Sequence, residues 1–146
     1  MAGTQLIPRR SFVAAFNVNF PGNKKVDIQF GSHTLKTDQD KESGGDGTAP
    51  EPFALFLAGL ASCAGYYAKT FCDARKLDTQ GMKLELDPFF KEGQKTMEKV
   101  VITLHVPQSF PEKYIKAVIK SMGSCAVKNQ MHPDIPFENQ VVYLSD

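Results

Sequence analysis

Two cysteines in different sequence settings are the residues of this chain best suited to chemistry. Cys63 lies inside the uncharged apolar run 52–68, and Cys125 follows Gly123 and Ser124 at the predicted start of a short helix. The thiolate is the reactive form of cysteine, and a helix N-terminus favours it because free amides and the helix dipole attract negative charge. If the fold brings these cysteines together, they form a redox site.

Each cysteine also has a structural interpretation. A cysteine in an Ala- and Gly-rich helix is most often a small core residue. Cys72 lies nine positions after Cys63, which places it about half a turn out of phase on a helix of 3.6 residues per turn. The sequence therefore predicts that Cys72 is structural and that it faces away from Cys63.

Other chemistries fit the sequence less well. The three cysteines and three histidines contain no paired short spacing of the kind that holds zinc. A Cys-His hydrolase or transferase would need a histidine beside a cysteine, and His33 or His132 are candidates for it. The run Gly44–Gly47 follows a polar segment rather than a strand, so it indicates flexibility rather than a phosphate-binding loop.

Composition restricts the class of protein. The chain has 146 residues, 42% of them hydrophobic, and a formal net charge of +1. These values fit one globular domain and give no electrostatic footprint for nucleic acid. The run 52–68 is shorter than the roughly 20 residues that a membrane span needs. With no apolar leader at the N-terminus and few cysteines, we expect a cytoplasmic location.

The elements predicted around these cysteines alternate between strands and helices. Hydrophobic alternation, turn residues and capping signals indicate the order βββ-α-ββ-α-α-β, which is typical of an α+β fold with antiparallel strands. The predicted strands are 11–20, 25–30, 33–37, 82–90, 99–106 and 137–144; the predicted helices are 52–76, one begun by a capping box at Ser109 and Glu112 and ending at Gly123, and 125–131 with Ser124 as its N-cap; the segment 38–50 is predicted to be a mobile loop.

These patterns resemble a known family. The segment 49–65 around Cys63, together with the segment 124–127 around Cys125, resembles the OsmC/Ohr family of osmotically inducible and organic hydroperoxide resistance proteins, and its OsmC-like branch in particular. The order of elements is similar over nearly the whole chain. The resemblance implies one OsmC-like domain spanning 1–146 and an intertwined homodimer, with antiparallel sheets wrapped around long central helices.

The resemblance also implies a reaction. Cys63 would be oxidised by an organic or inorganic hydroperoxide to a sulfenic acid, in defence against oxidative stress. Cys125 would resolve it to a disulfide, which an external dithiol or lipoyl-type reductant reopens. No metal or bound cofactor is implied, and neither nucleic acid nor membrane is an expected partner.

One departure from the family concerns positive charge. Active members carry an arginine ahead of the long helix, whereas this chain has none between Arg10 and Arg75. A buried cysteine without a nearby cation has a raised pKa and reacts slowly. His33, Lys36 or the N-terminal arginines are therefore the candidates to approach the thiolate.

A second departure concerns a carboxylate. The family places a glutamate directly after a proline early in the long helix, whereas here Phe53 follows Pro52 and the nearest carboxylate is Glu51. Glu51 is a candidate for the catalytic position and equally for a helix cap.

A non-enzymatic function is the alternative. An apolar pocket at the dimer interface would hold an apolar ligand, with the cysteines as small pocket walls; it would be lined by Phe53, Phe56, Tyr66 and Tyr67.

Overall fold

The computed structural model describes residues 15–93 and 95–145. They form two compact units, one ending at Leu55 and the other beginning at Phe56. The α+β class and the predicted order of strands are confirmed. The elements are β1 (Asn17–Gly22), β2 (Lys25–Phe30), β3 (His33–Thr37), α1 (Pro52–Asp73), β4 (Lys83–Phe90), β5 (Met97–Val106), α2 (Ile115–Met122) and β6 (Phe137–Tyr143), with 3-10 turns at Glu112–Tyr114 and Lys128–Gln130.

The first unit contains an antiparallel meander in the order β1-β2-β3. The register aligns Val18 with Ile28 and Ile28 with Leu35, so these residues share one apolar face. The predicted strand 11–20 is shifted, since β1 begins at Asn17 and continues through Pro21, which was expected in a turn; residues 11–14 lie outside the described residues. An edge strand tolerates this proline because one of its sides needs no ladder donor.

The polar segment 38–50 is a closed, hydrogen-bonded loop rather than the mobile segment that its glycines suggested. Asp38 N donates to Pro50 O (3.2 Å) and closes the loop, and Gly45 N donates to Asp40 O (2.8 Å). Only glycine fits at position 45, because a Cβ there would lie 2.0 Å from Gln39 O. Here glycine permits a close backbone approach and thereby fixes the loop.

Helix α1 is buried along one face only. The buried residues follow helical spacing: Leu60, Ala64, Ala68, Phe71 and Cys72. Other large side chains of the helix are exposed, and Tyr66 keeps 65% of its surface. Among the described residues, the apolar helix α1 is therefore buried on one side and exposed on the other.

The helix ends earlier than predicted, at Asp73 instead of residue 76. Lys76 adopts a left-handed conformation with φ 53°. Leu77 N donates to Cys72 O (3.0 Å), which is the bond of a Schellman end. The last three predicted residues thus form the turn that closes the helix.

The second unit contains a mixed sheet, in the order β4-β5-β6. β4 and β5 are antiparallel, but β5 and β6 are parallel, with Ile102 opposite Asn139. This corrects the prediction of purely antiparallel sheets. Parallel neighbours need a crossover connection, and the chain supplies it through α2 between the end of β5 and the start of β6.

The predicted capping box before α2 is wrong. The capping position is occupied by Pro111, no side chain caps the turn, and the 3-10 turn Glu112–Tyr114 comes first. Phe110 N instead donates to Pro107 O (2.9 Å), so the residues around Ser109 form a separate turn. The helix end is as predicted, since α2 stops at Met122.

The core of the second unit lies between the sheet and the two helices. Alternate residues of β5 point into it and are almost fully buried: Val100, Ile102, Leu104 and Val106. Val118 and Met122 of α2 complete it from the crossover. Among the described residues, no helix is long and apolar enough to cross a membrane.

Candidate functional site

Cys63 is held by helix α1 beside the buried stripe of that helix. Leu60 and Ala64 are fully buried, whereas Cys63 keeps partial exposure. Its position on a helix that packs against the core fixes the backbone, while the side chain stays within reach of a small molecule. This is a geometry in which a thiol can react.

Cys125 lies in the crossover between α2 and β6, in a turn rather than at a helix N-terminus. The predicted helix 125–131 with Ser124 as its N-cap is wrong, because the segment forms only the 3-10 turn Lys128–Gln130. Cys125 N donates to Met122 O (3.3 Å) and Asn129 N donates to Cys125 O (3.2 Å).

The structure brings the two predicted cysteines together. The thiols of Cys63 and Cys125 lie near enough for Cys63 to raise the pKa of Cys125, and both are free thiols. The Cys125 side chain is 2% exposed, and the Lys128 backbone amide donates to its sulfur at 3.4 Å. Residues 62 positions apart thus form one thiol pair.

Electrostatics overturn the expectation of a thiolate at Cys125. Burial, and next the neighbouring Cys63 thiol, raise the pKa of Cys125 above its ordinary value, while the backbone amides of Lys128 and Val127 partly oppose this. The dipole of an α-helix is not available at this position. Cys125 therefore rests as a neutral thiol at neutral pH.

Cys72 is a core residue of α1. It is fully buried within the cluster that includes Val100 and Val118, and burial raises the pKa of its thiol.

The other predicted site residues lie in the first unit. His33 is exposed on β3, with its ring 5.7 Å from that of Phe30. Lys36 stands opposite Asp27 in the β2–β3 register. Glu51 accepts a hydrogen bond from Leu55 N at its carbonyl (3.2 Å), just before the start of α1.

The arginines and remaining histidines have these positions. Arg9 and Arg10 fall outside the described residues. Arg75 lies over the Phe71 ring at 3.7 Å and donates to Phe71 O, which is a structural role at the end of α1. His132, the candidate base for a hydrolase, is exposed with Nδ1 3.4 Å from a carboxylate oxygen of Asp134. In the part of the chain that the structure describes, no cluster of three metal-ligating side chains forms.

Sequence reasoning missed one ionisable residue, Asp38. Its carboxylate is completely buried and accepts hydrogen bonds from Gln39 N (2.8 Å), Thr48 N (3.0 Å), Thr48 Oγ1 (2.8 Å) and Asp46 N (3.4 Å). These donors, the Thr48 amide first, lower the pKa of Asp38 from 3.8 to about 2. Asp38 fixes the loop that leads into α1, and no local sequence signal marks it because its partners are up to ten residues away.

A family model for OsmC-like proteins matches residues 45–139, which include both cysteines of the pair. The chain belongs to the OsmC-like family. A search of the curated proteins found no match. The comparisons therefore show the family and the fold of this OsmC-like protein.

Solved structures support the same fold. A putative osmotic stress induced and detoxification response protein from Psychrobacter arcticus superposes with a TM-score of 0.74 at 21% identity, over 87% of this chain and 94% of that one. An organic hydroperoxide resistance protein OsmC from Legionella pneumophila gives 0.58 at 18% identity, over 87% and 96%. A putative organic hydroperoxide resistance protein from Vibrio cholerae, with captopril bound in one of its active sites, gives 0.60 at 17% identity, over 92% and 94%.

Proposed function

We propose that this OsmC-like protein reduces organic or inorganic hydroperoxides with Cys63 and Cys125, in defence against oxidative stress. The observation that carries the proposal is the pair of neighbouring thiols, of which Cys63 is partly exposed and Cys125 is buried. Such a pair can lose two electrons by forming a disulfide, and thiol–disulfide exchange then restores the two thiols. Family membership and the hydroperoxide resistance proteins among its structural neighbours support the same reaction class.

The proposed roles follow from exposure. The Cys63 thiolate attacks the terminal oxygen of the hydroperoxide, the O–O bond breaks, and the alcohol leaves after taking a proton, which turns Cys63 into a sulfenic acid. The Cys125 sulfur then attacks the sulfenic sulfur, water leaves, and a disulfide forms. Cys125 is suited to this second role because it is shielded from peroxide and neighbours Cys63.

No bound cofactor takes part in this scheme, and an external dithiol, including one of the lipoyl type, supplies the electrons. We propose the cytoplasm as the compartment, because thiols are kept reduced there. For the positive charge that would favour the Cys63 thiolate, His33, Lys36 and the N-terminal arginines remain the candidates, and Glu51 remains the candidate carboxylate.

We also propose that the working form is a homodimer. Large apolar side chains stay exposed on β1 and α1, among them Phe20 at 79% and Tyr66 at 65%. Exposed apolar surface of this kind is typical of an interaction surface. A second copy of the chain is the partner that the family resemblance implies.

The test uses three cysteine variants and cumene hydroperoxide, with peroxide consumption and mass spectrometry as readouts. We expect Cys63→Ser to abolish consumption and Cys125→Ser to accumulate a sulfenic acid at Cys63 that a dimedone probe captures. The matched control is Cys72→Ser, which should consume peroxide like the parent. If Cys63→Ser and Cys125→Ser both consumed peroxide at the parental rate, the proposal would be wrong.

A further inference from the structure

We infer that the reductant attacks the disulfide at the sulfur of Cys63, so that Cys125 is always the leaving sulfur. This rests on the proposed function, since it concerns how the oxidised pair is reopened. Thiol–disulfide exchange has a direction, and which sulfur is attacked depends on access and on the leaving thiol. The two sulfurs of this pair differ in both respects.

Access separates the two sulfurs. The attacking thiolate must approach along the axis of the disulfide, behind the sulfur that it attacks. Cys125 is 2% exposed, whereas Cys63 is partly exposed on α1. Any route that admits a hydroperoxide to Cys63 also leads a small thiol to that sulfur.

The surroundings of Cys125 also receive a leaving thiolate. The Lys128 backbone amide lies 3.4 Å from its sulfur and points a donor at it, and the Val127 amide contributes in the same sense. Burial works against the charge, which slows departure because a thiol of high pKa leaves less readily. Access nevertheless determines which sulfur is attacked, because a buried sulfur cannot be reached even when the other sulfur would be a good leaving group.

The step balances as follows. One thiolate of a dithiol forms a bond to the Cys63 sulfur, the Cys63–Cys125 bond breaks, and Cys125 leaves with the electron pair and takes up a proton. The second thiol of the reductant then attacks the reductant sulfur of the mixed disulfide and releases Cys63. The dithiol ends as a cyclic disulfide, having lost two electrons and two protons, and both cysteines end reduced.

The experiment makes the disulfide without peroxide. Full-length protein carrying Cys72→Ser is oxidised with diamide, exposed briefly to 2-mercaptoethanol, quenched in acid, treated with N-ethylmaleimide and mapped by mass spectrometry. A monothiol is used because it cannot close a cyclic disulfide, so brief exposure followed by the acid quench traps the mixed disulfide. We expect mercaptoethanol on Cys63 and maleimide on Cys125, in excess over the reverse pattern by about tenfold or more.

Each other outcome has a definite meaning. The reverse pattern, or equal amounts of the two patterns, overturns the inference. If diamide fails to link the two cysteines, both the inference and the proposed function are wrong. If diamide links them and the adduct forms on Cys63, but hydroperoxide does not produce the disulfide, the inference holds as a property of the pair while the peroxidase proposal fails.

Discussion

Asp38 in the first unit and Cys125 in the second are both buried acids, yet burial leaves them in opposite states. Asp38 is completely buried and has its pKa lowered to about 2. Cys125 is 2% exposed and has its pKa raised. Burial disfavours the charged form of each group, so burial alone does not explain the difference.

The difference lies in the donors. The Asp38 carboxylate accepts from three backbone amides and one hydroxyl, all at 3.4 Å or less, and these bonds outweigh desolvation. The sulfur of Cys125 accepts a long bond from the Lys128 amide, and its second neighbour is another thiol. A buried acid is ionised where the backbone surrounds it with donors and neutral where it does not.

The largest effect is expected from replacing Asp38, the ionised acid of this comparison. We expect Asp38→Asn to lower stability at neutral pH more than any other change proposed for this loop, because an amide accepts fewer of these bonds and introduces an unneeded donor. Since the folded pKa lies below 3.8, the carboxylate's contribution is fully present above that pH and is lost as pH falls toward 2. Thermal melts of both proteins between pH 7 and 2 measure this.

The melting temperatures of the parent and of Asp38→Asn should therefore converge as the pH approaches 2. A difference that stayed constant across this range would mean that the side chain acts by packing rather than by charge. Thr48→Val is the matched control, since it removes the hydroxyl donor and keeps the amide; it should give a smaller loss with the same pH trend.

The next largest effect is expected from Gly45→Ala, in the loop that supplies those donors. The added Cβ would lie 2.0 Å from Gln39 O, so the backbone must shift, at a cost of roughly 1–3 kcal/mol in the free energy of unfolding. Urea titration measures it. Gly59→Ala in α1 is the control, because its Cβ meets no atom within 4 Å and alanine is favoured in a helix by about 1 kcal/mol. Equal effects at the two glycines would contradict the packing explanation.

The smallest effect concerns the pKa of Cys125, the neutral acid of this comparison. With Cys72→Ala in the background, we expect Cys63→Ala to lower the pKa of Cys125 slightly, since the thiol neighbour is only the second cause of its elevation. Because burial remains, the pKa should stay above the ordinary value. The ultraviolet absorbance of the thiolate, followed as pH rises, reports it because no other cysteine is left, once the absorbance of the four tyrosines is subtracted with a variant that lacks all three cysteines. A return to the ordinary value would show that the neighbour, rather than burial, is dominant.

The sequence predicted what depends on local pattern. Alternation placed β2 and β3 with the observed bounds, and Pro52 marked the start of α1. The sequence settings of Cys63 and Cys125 singled out these two cysteines, and the structure makes their thiols neighbours. These features depend on neighbours in sequence, or on a family already known.

The incorrect predictions share a physical cause. They concern features that are determined by contacts between residues distant in the sequence. Alternation in β6 specifies a strand but not its direction, so parallel pairing with β5 was missed. Ser124 has the side chain of an N-cap, yet the chain turns at Cys125 before a helix forms. Asp38 drew no attention because its donors at Asp46 and Thr48 come from the far side of a loop that reads as flexible.

The parallel pairing of β5 and β6 has a consequence for the order of folding. Because β6 can join the sheet only after the crossover has passed over it, this contact is non-local and slow to form compared with a hairpin. Cys63 is synthesised well before the crossover that carries Cys125, so during translation it stands without its partner thiol. The two cysteines therefore become neighbours only late, once the crossover has packed onto the sheet and the last strand has been synthesised.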